Sequence, residues 1–378
     1  NGFWSLTKYD DILFVSRNPL LFISSKGIAG SGLRNPPPVT EQDGPQGASI
    51  ITMDPPRHVK MRRLINKGFT PRAVGAMEPQ IRAITNQILD RIANRGSCDF
   101  VLDVSSQLPL AVICGMMGID EEHWPLMFDL TNAVLGSGDP EYQKEVAEEQ
   151  RGSREAAEQT GEAGALRMFG FFAEAMERRR REPSDDLISI LLEAEVDGEK
   201  LTVNEILEFC FLLILAGNET TRNAISGGLV ALCAHPEERA RLQADTTLID
   251  SAVEEILRWT SPLHHMSREA TADVEIRGQQ IRAGEKVMMW YPSANRDEDI
   301  FPEPYRFDVT REPNEHLAFG IGEHFCLGAG FARLEIKAMF QELFRRFPDI
   351  QLDGPPERLR SNFLNGVKHL PVTYSPER

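Results

Sequence analysis

Residues 319–328 read Phe-Gly-Ile-Gly-Glu-His-Phe-Cys-Leu-Gly, a cysteine set among glycines just before a long apolar-periodic segment. That segment repeats apolar residues at the spacing of a helix, at Leu327, Phe331, Leu334, Met339, Leu343 and Phe347. Cys326 therefore stands at, or just before, a helix N-terminus, where the helix dipole and free amides stabilise a thiolate. A thiolate is the form of cysteine that binds metal ions. The glycines permit tight turns and a close approach of the backbone to the sulfur.

Two simpler interpretations of this loop stay open when it is taken alone. Cys326 could be a buried structural cysteine after a turn, which is what an isolated Cys-x-Gly would favour. It could also join His316 and His324 in a zinc site, although a fourth ligand is missing at any usual spacing. Only features from elsewhere in the chain can separate these interpretations.

A long buried helix is predicted at residues 202–234. Thr202 followed three residues later by Glu205 is a capping-box signature, and the sequence then stays apolar almost all round from residue 206 to residue 217. A helix that is apolar on every side is buried. If it runs to about Ala234, it is on the order of 50 Å long at 1.5 Å per residue and crosses the whole domain.

The middle of this helix carries a polar interruption, Ala-Gly-Asn-Glu-Thr-Thr at 216–221. In one interpretation Glu219 reaches solvent and Thr220 hydrogen-bonds to a carbonyl one turn earlier, as mid-helix threonines commonly do. In the other, Gly217 lets a ligand approach the backbone while the acid and the alcohol relay protons into a buried site. The helix by itself leaves both interpretations open.

Taken together, these motifs resemble those of the cytochrome P-450 superfamily. The haem-ligand loop of that family is matched position for position at Phe319, Gly322, His324, Cys326 and Gly328. The run at 216–221 resembles its oxygen-activation motif. The resemblance implies a mainly α, single-domain cytochrome P-450 fold over residues 1–378, a triangular helical prism with a long central helix and small β-sheets. The first residues resemble the family's first sheet strand, so its leading helix would precede this numbering.

Further residues acquire roles through this resemblance. Glu255 and Arg258 resemble the Glu-x-x-Arg pair of the family, and Arg306 resembles the third member of its Glu-Arg-Arg network. In the family this network holds the cysteine loop. Without the resemblance, a pair at positions i and i+3 would be interpreted as a solvated ion pair on a helix surface. Four donors that suit a buried dianion resemble the groups that bind the haem propionates: His58, Arg62, Arg268 and His324. Cys326 would be the iron ligand, and the remaining haem contacts would be Ala216, Gly217, Phe319, Gly320 and Gly328.

The resemblance also implies an activity. A haem b held by Cys326 would activate O2, and one oxygen atom would be inserted into a C–H bond of a hydrophobic substrate. Thr220 would assist by hydrogen bonding at the oxygen site, and Glu219 would connect that site to solvent protons. Electrons would come from NAD(P)H through a ferredoxin reductase and a ferredoxin, since the sequence shows no flavin or iron–sulfur motif.

Two stretches bear on the substrate. Residues 216–223 and 314–320 look like the branch of the family that hydroxylates steroid side chains and methyl-branched lipids. The alternatives are a terpenoid hydroxylase, a peroxide-driven peroxygenase and a non-catalytic haem sensor. The acid–alcohol pair argues against a peroxygenase, and a sensor would need a second axial ligand opposite Cys326.

The substrate pocket is expected to be mostly apolar. The segments expected to line it are 24–50, 124–140, 166–180, 212–221, 263–266 and 363–365. His264 and His265 are the polar exceptions, which could orient a polar group or line a water-filled edge.

The bulk composition restricts the partners. With 41 basic and 57 acidic side chains the net charge is −16, which argues against a general nucleic-acid or anionic-membrane binder. The cysteines are scattered without a CxxC pair, which favours a location in the reducing cytoplasm. No apolar run is long enough to span a bilayer. The protein is expected to be a monomer. Eight basic residues on segments that would frame the thiolate side could attract an acidic ferredoxin or be ordinary solvated charges: Arg57, Lys60, Arg62, Arg63, Arg333, Lys337, Arg345 and Arg346.

Periodicity predicts the secondary structure along the chain. Helices are predicted at 74–95, 104–117, 166–181, 186–195, 202–234, 248–260 and 327–347. Short strands are predicted within 273–290 and 361–374. Residues 24–50 and 136–164 are predicted to be irregular, which is typical of lids and binding loops.

Overall fold

The computed structural model describes residues 2–28, 49–196 and 198–377. Helices dominate the described chain: α1 Tyr9–Arg17, α2 Arg57–Ile65, α3 Pro71–Asp90, α4 Gln107–Met117, α5 Trp124–Leu135, α6 Arg154–Arg181, α7 Leu187–Glu193, α8 Val203–Ala234, α9 Pro236–Ala244, α10 Ile249–Thr260, α11 Tyr291–Ala294 and α12 Ala329–Arg346. The strands are short: β1 Trp4–Leu6, β2 Phe22–Ile23, β3 Ser97–Asp99, β4 Glu195–Val196, β5 Glu199–Lys200, β6 His265–Ala270, β7 Val274–Ile276, β8 Gln279–Ile281, β9 Lys286–Trp290, β10 Gln351–Leu352, β11 Glu357–Arg358, β12 Val367–His369 and β13 Pro371–Thr373.

The long central helix is confirmed as α8. Its 32 residues correspond to about 48 Å at 1.5 Å per residue. The predicted capping box is present, because the Glu205 amide donates to Thr202 Oγ1 at 3.2 Å and the Thr202 amide donates to Glu205 Oε2 at 3.0 Å. The helix ends at Ala234, and Pro236, which has no amide proton to continue the ladder, opens α9.

Two apolar cores pack on the two halves of α8. Its N-terminal half, with Phe209 and Ile214, packs against α4, α5, α6 and α7. Its C-terminal half, with Ile225 and Leu229, packs against α10 and α12, and α3 closes that core from the far side of α12. Burial of each such side chain contributes about 1.5–3 kcal/mol. The polar run at 216–221 therefore lies at the junction of the two cores, held from both ends.

The sheets are small. The largest has the strand order β1-β9-β6-β2, with β1 parallel to β9 and the other neighbours antiparallel. The strand predictions for 273–290 and 361–374 are confirmed by β7, β8, β9, β12 and β13. Because side chains alternate along an extended strand, Met266 lies on the same side of β6 as Arg268, and His265 lies on the other.

The prediction that 136–164 is irregular is wrong at its C-terminal end. α6 begins at Arg154, where Ser153 Oγ accepts a hydrogen bond from the Ala156 amide at 3.0 Å. Gly164 is not a loop glycine, since a Cβ there would lie 3.0 Å from Cβ of Ala133 in α5. It permits close packing of α5 on α6. Of the 24–50 loop, residues 29–48 lie outside the described residues.

Candidate active site

The cysteine loop is a closed turn whose shape depends on glycine. The Cys326 amide donates a hydrogen bond to the carbonyl oxygen of Phe319 at 2.9 Å. Gly320 and Gly322 have φ values of +65° and +77°, a region that residues with side chains rarely adopt. A Cβ at Gly322 would also collide with the carbonyl oxygen of Ser16 in α1. These constraints place Cys326 immediately before α12, as the sequence predicts.

The sulfur of Cys326 lies among groups that favour a thiolate. Burial raises the pKa of the thiol, whereas hydrogen bonds from the amides of Gly328 and Ala329 and the charges of Arg62 and Arg333 act in the opposite direction. Amides at a helix start and nearby guanidinium groups are the donors that tune a metal-bound thiolate. The loop thus has the chemistry of a ligand site.

The four predicted propionate ligands lie together. The ring centroids of His58 and His324 are 4.1 Å apart, and the charges of Arg62 and Arg268 bear on both rings. Burial, followed by these neighbouring positive charges, lowers the pKa of His58 to about 4 and the pKa of His324 to about 2. His58 is 1% exposed, and among the described residues its Nδ1 has no hydrogen-bond partner; the carboxylate of Glu323 stays 3.9 Å away.

This cluster fits a dianionic ligand. Arg268 is buried and Arg62 half-buried, and the guanidinium of each donates to a backbone carbonyl oxygen. Burial lowers the pKa of both arginines. Across the described parts of the chain, neither forms an ion pair with a carboxylate. Because uncompensated buried cations cost free energy, two carboxylates such as the haem propionates would stabilise the cluster.

The polar run of α8 presents its acid and its alcohol on different faces. Glu219 is 1% exposed and forms an ion pair with Arg222. Burial raises the pKa of Glu219, and the charge of Arg222 opposes that effect. Thr220 Oγ1 donates to the carbonyl oxygen of Ala216 at 2.7 Å, so the ordinary back-bonding is present, whereas Glu219 does not reach solvent. Ala216 is exposed and Gly217 and Thr220 are partly exposed between buried turns, so this face lines open space inside the fold.

The buried glutamate–arginine network is present, but one of its members was predicted wrongly. Arg258 donates to Glu255 through Nε at 2.7 Å and Nη2 at 2.8 Å, and both side chains are fully buried. Arg306 is exposed and pairs with Glu303 at 3.0 Å. The third member is Arg311, whose Nε lies 3.2 Å from Glu255. The segment between the two arginines forms irregular turns, and no sequence spacing indicates which side chain returns to Glu255.

The network reaches the cysteine loop through Asn295. Arg258 Nη1 donates to the Asn295 carbonyl oxygen at 2.8 Å. Asn295 Oδ1 in turn accepts a hydrogen bond from the Leu317 amide at 2.7 Å, two residues before the loop begins. The position of the loop therefore depends on a fully buried ion pair about sixty residues earlier in the chain.

A second support of the loop was not predicted. Glu254 accepts hydrogen bonds from Arg333 at 2.6 and 2.8 Å, and the guanidinium of Arg333 lies 4.6 Å from the ring centroid of Phe319. Burial raises the pKa of Glu254, but the hydrogen bonds and charges of Arg333 and His316 outweigh that effect and lower the pKa to about 2. The Ala318 amide donates to Nδ1 of His316, so Nε2 carries the proton directed at Glu254. Both ring nitrogens of His316 are thus hydrogen-bonded. The zinc interpretation requires His316 to bind a metal ion together with His324 and Cys326, and the structure does not support it.

Some segments expected near the substrate do meet. The His264 amide donates to the Phe363 carbonyl oxygen at 2.8 Å, which brings the C-terminal turn at 363–365 onto β6. His264 lies directly before β6, and burial and the charge of Arg358 lower the pKa of its ring. His265 is buried, with its ring centroid 4.9 Å from that of Trp290.

The basic residues on the thiolate side mostly carry partners within the protein. Arg333 pairs with Glu254, Lys337 with Asp250 at 2.7 Å, and the buried Arg346 with Glu377 at 2.5 Å. Arg57 pairs with Glu205 and Arg345 with Glu342. Within residues 2–28, 49–196 and 198–377, no helix combines the length and apolar content needed to cross a membrane.

Comparison with known proteins gives a consistent result. The family model described as Cytochrome P450 matches residues 163–368. The chain is 44% identical over 381 residues to a methyl-branched lipid omega-hydroxylase of Mycobacterium bovis, covering 99% of this chain and 85% of that protein. It is 36% identical over 376 residues to a steroid C26-monooxygenase of Mycobacterium bovis, covering 99% and 83%. The solved structure of a Mycobacterium marinum cytochrome P450 in complex with pseudoionone matches with a TM-score of 0.89 and 38% identity, covering 99% of this chain and 87% of that chain.

The segment that matches the family model contains the cysteine loop, the polar run of α8 and the buried glutamate–arginine network. Haem iron is the cofactor of the matched family, and O2 is its co-substrate. The cation cluster and the amide-ringed sulfur are what such a cofactor requires of the chain. The chain therefore belongs to the cytochrome P450 family and is a monooxygenase that acts on hydrophobic substrates.

Proposed function

We propose that this enzyme hydroxylates the terminal carbon of a methyl-branched lipid, with a steroid side chain as the second candidate. The observation that carries the proposal is the 44% identity, across 99% of the chain, to a methyl-branched lipid omega-hydroxylase. The steroid C26-monooxygenase is similar over the same extent but at 36% identity. A terminal branched carbon is the feature that the two named activities have in common.

We propose that a haem b binds with its iron at Cys326 and its propionates at His58, Arg62, Arg268 and His324. When bound, the haem supplies the binding and reductive activation of O2. The amides of Gly328 and Ala329 set the electron density of the sulfur. In this arrangement Ala216, Gly217, Phe319, Gly320 and Gly328 would be the remaining residues that hold the cofactor.

The chain's own acid and alcohol handle protons in this proposal. Thr220 lies on the open face of α8, and its hydroxyl can both donate and accept a hydrogen bond. Glu219 sits one residue earlier on the buried side, where burial raises its pKa and so favours the protonated form that can donate a proton. Glu219 supplies the proton, and Thr220 presents it at the oxygen site.

Electrons are proposed to come from NAD(P)H through a ferredoxin reductase and a ferredoxin that docks near the cysteine loop. Phe325, the residue before Cys326, is 39% exposed, and Val59 of α2 is 37% exposed. The guanidinium of Arg62 joins α2 to the loop by donating to the Phe325 carbonyl oxygen. A small apolar surface at the closest approach to the sulfur, with basic residues around it, suits a transient electron-transfer partner. All five cysteines are free thiols, which supports a cytoplasmic location, and we propose that the enzyme acts as a monomer.

The imidazole of His264 is proposed to orient a polar group of the substrate. It lies directly before β6, next to the turn at 363–365, and burial lowers its pKa, which favours the neutral ring that can both accept and donate a hydrogen bond. We expect His264→Leu to weaken binding of substrates that carry a hydroxyl or carboxyl group and to leave hydrocarbon analogues unaffected. His264→Gln, which keeps a donor and an acceptor, should restore most of the affinity; equal weakening for both ligand types would contradict the role.

A binding and product screen tests the proposed substrate. The purified holoenzyme is titrated with methyl-branched fatty acids, straight-chain acids of equal length, steroid ketones and terpenes, and the haem spin-state shift is recorded. Products are then identified after turnover with NADH, ferredoxin reductase and ferredoxin. We expect the branched lipids to bind most tightly and to be hydroxylated at the terminal carbon. Tighter binding of the straight-chain acids or terpenes, or oxidation at internal carbons, would overturn the proposal.

A further inference from the structure

The segment that connects α5 to α6 has little apolar packing of its own. Within residues 136–153, all of which the structure describes, Val146 is the one apolar side chain that is buried. Backbone hydrogen bonds in the segment close short turns, such as the bond from the Tyr142 amide to the Asp139 carbonyl oxygen at 3.1 Å. A segment with few buried apolar contacts opens locally at a low free-energy cost. Its position therefore depends on polar contacts with the rest of the protein.

Lys368 of β12 holds this segment at two acidic residues. Its Nζ lies 3.2 Å from Asp139 Oδ1 and 2.9 Å from Glu141 Oε2. A third carboxylate, that of Glu357 in β11, lies 2.9 Å from the same nitrogen. Asp139 is 2% exposed, and its second oxygen accepts a hydrogen bond from the Arg360 amide at 2.9 Å. The segment is thus bonded at two points to the antiparallel hairpin of β11 and β12.

His369, the next residue of β12, adds a contact that depends on its protonation. Its Nε2 lies 2.8 Å from Glu141 Oε1, and its Nδ1 lies 2.6 Å from Asp99 Oδ2. A neutral imidazole carries one N–H and can donate to one of these carboxylates only, whereas the imidazolium donates to both. The Leu370 amide also donates to Asp99 at 3.1 Å and holds that carboxylate in place. A neutral ring therefore keeps its proton at Nδ1 and releases Glu141.

The surroundings of His369 favour its charged form. Burial lowers the pKa of the ring, but the hydrogen bonds and charges of Asp99 and Glu141 outweigh that effect and raise the pKa above its ordinary value of 6.5. The other charged side chains on the elements packed against β12 pair with one another: Glu357 with Lys368, and Asp103 with Arg95. As pH rises through the raised pKa, the ring loses its second proton and the contact with Glu141 is lost.

The hairpin of β11 and β12 is fixed to the body of the protein at its turn, where the His264 amide donates to the Phe363 carbonyl oxygen at 2.8 Å. Residues 363–365 of this turn and residues 124–140 are both expected to line the substrate pocket. The contact of Lys368 with Asp139 therefore joins two segments of that expected lining.

We propose that Lys368 and His369, with the carboxylates of Asp99, Asp139 and Glu141, form a pH-sensitive clasp that holds the α5–α6 connection on the hairpin and slows the entry of ligands into the pocket. While His369 is protonated, it joins Glu141 to Asp99 and the connection is held. Once the ring is neutral, Glu141 keeps Lys368 alone and the connection opens more often. The clasp rests on the contacts above, and its effect on ligand entry rests on the proposed function through the pocket lining expected there.

His369→Asn tests the clasp directly. The amide nitrogen of the new side chain takes the place of Nδ1 and keeps the Asp99 contact, whereas Glu141 loses its partner at position 369. The variant should therefore resemble the neutral-ring state at every pH. Glu141→Gln, which removes the charge that both cations share, is the second variant should His369→Asn not fold. The matched control is His123→Asn, which removes another histidine beside a carboxylate, that of Glu122 at 3.6 Å, outside the clasp.

The readout is hydrogen–deuterium exchange of residues 136–153 in the purified holoenzyme from about pH 6 to about pH 9, with labelling times scaled to the intrinsic exchange rate at each pH. We expect the exchange of the parent to rise roughly fivefold or more across this range, because the contact that is lost is a charge-assisted hydrogen bond. His369→Asn and Glu141→Gln should exchange at the fast rate throughout, and His123→Asn should behave as the parent. Exchange that is independent of pH in the parent, or that still varies with pH in His369→Asn, overturns the clasp.

Ligand entry is measured separately with phenyl isocyanide, an uncharged ligand of reduced haem iron, so the result does not depend on the identity of the substrate. Its stopped-flow binding rate should rise with pH in the parent and be fast at every pH in His369→Asn. A parental binding rate in His369→Asn, despite fast exchange of residues 136–153, overturns the effect on entry. The substrate proposal fails by a different result, the absence of a spin-state shift with branched lipids.

Discussion

The amide of Cys326 donates a hydrogen bond to the carbonyl oxygen of Phe319 at 2.9 Å, so the sulfur-bearing residue is tied to the first residue of its own loop. Phe319 is in turn covered by the guanidinium of Arg333, which Glu254 holds in a bidentate ion pair. The sulfur is therefore positioned by a closed turn, and the turn is supported by the ion pair of Arg333 and Glu254. The consequences can be tested one group at a time.

Arg311 and Arg306 should differ sharply when replaced by alanine. Arg311 is 9% exposed and pairs with the fully buried Glu255, so Arg311→Ala leaves a buried charge with one partner fewer and should cost roughly 3 kcal/mol or more of unfolding free energy. Arg306 pairs only with Glu303 at the surface, so Arg306→Ala should cost less than about 1 kcal/mol. Chemical denaturation and haem content of the two purified variants measure the difference. Equal losses would contradict the assignment of Arg311 to the network.

Arg268→Met should separate haem retention from apoprotein stability. In the apoprotein Arg268 repels its neighbours in the cation cluster, so its removal should leave that form at least as stable as the parent. In the holoenzyme the same change removes a charge-assisted contact and should raise haem loss about tenfold or more. Thermal unfolding of the apoprotein and haem transfer to an acceptor protein measure the two effects. Parental haem retention in this variant would refute the role of the cluster.

The stability of the apoprotein should fall in mildly acidic solution. The pKa of His58 is lowered from 6.5 to about 4 in the folded chain. Between these values the unfolded chain binds a proton that the folded chain does not, so unfolding is favoured as pH falls through that window. Urea denaturation at a series of pH values between 7 and about 4 measures the slope. His58→Gln should flatten that slope, and an unchanged slope would mean that His58 is not buried as described.

Thr220→Ala should uncouple electron use from product formation. Thr220 Oγ1 is the hydroxyl on the open face of α8, and in the proposed mechanism its loss removes the last proton donor of the chain before the oxygen site. NADH consumption should continue, while the product formed per NADH falls roughly tenfold or more and hydrogen peroxide rises in compensation. Thr220→Ser, which restores the hydroxyl, should recover much of the coupling. Product formation in Thr220→Ala as well coupled as in the parent would count against the role of Thr220.

The strongest sequence signals were those that are local in the chain. The capping box at Thr202 and Glu205, the length of α8 and the position of Cys326 before α12 depend on a few neighbouring residues, and all three are confirmed. The hairpin signals around β7 to β9 are confirmed for the same reason. The cation cluster was predicted only through the family resemblance. Its four members lie on three segments that are distant in the chain, so their spacing could not indicate that they meet.

The features that the sequence did not predict depend on tertiary contacts. Arg311 and Arg306 are equally plausible in sequence, and only the irregular turns between them decide which one reaches Glu255. Gly164 looked like a loop glycine because its role, room for α5 against α6, is visible only when both helices are in place. The interpretation in which Glu219 reaches solvent is wrong, because Arg222, three residues later on the same helix, pairs with it inside the protein.

The central claim, that the thiolate of Cys326 would hold the haem iron, is tested most directly by the absorption spectrum of the reduced holoenzyme under carbon monoxide. The parent should show the strongly red-shifted Soret band that requires both a thiolate ligand and a vacant sixth position. Cys326→Ser should lose that band. A parent spectrum without the red shift, or a Cys326→Ser variant that retains it, would contradict the account.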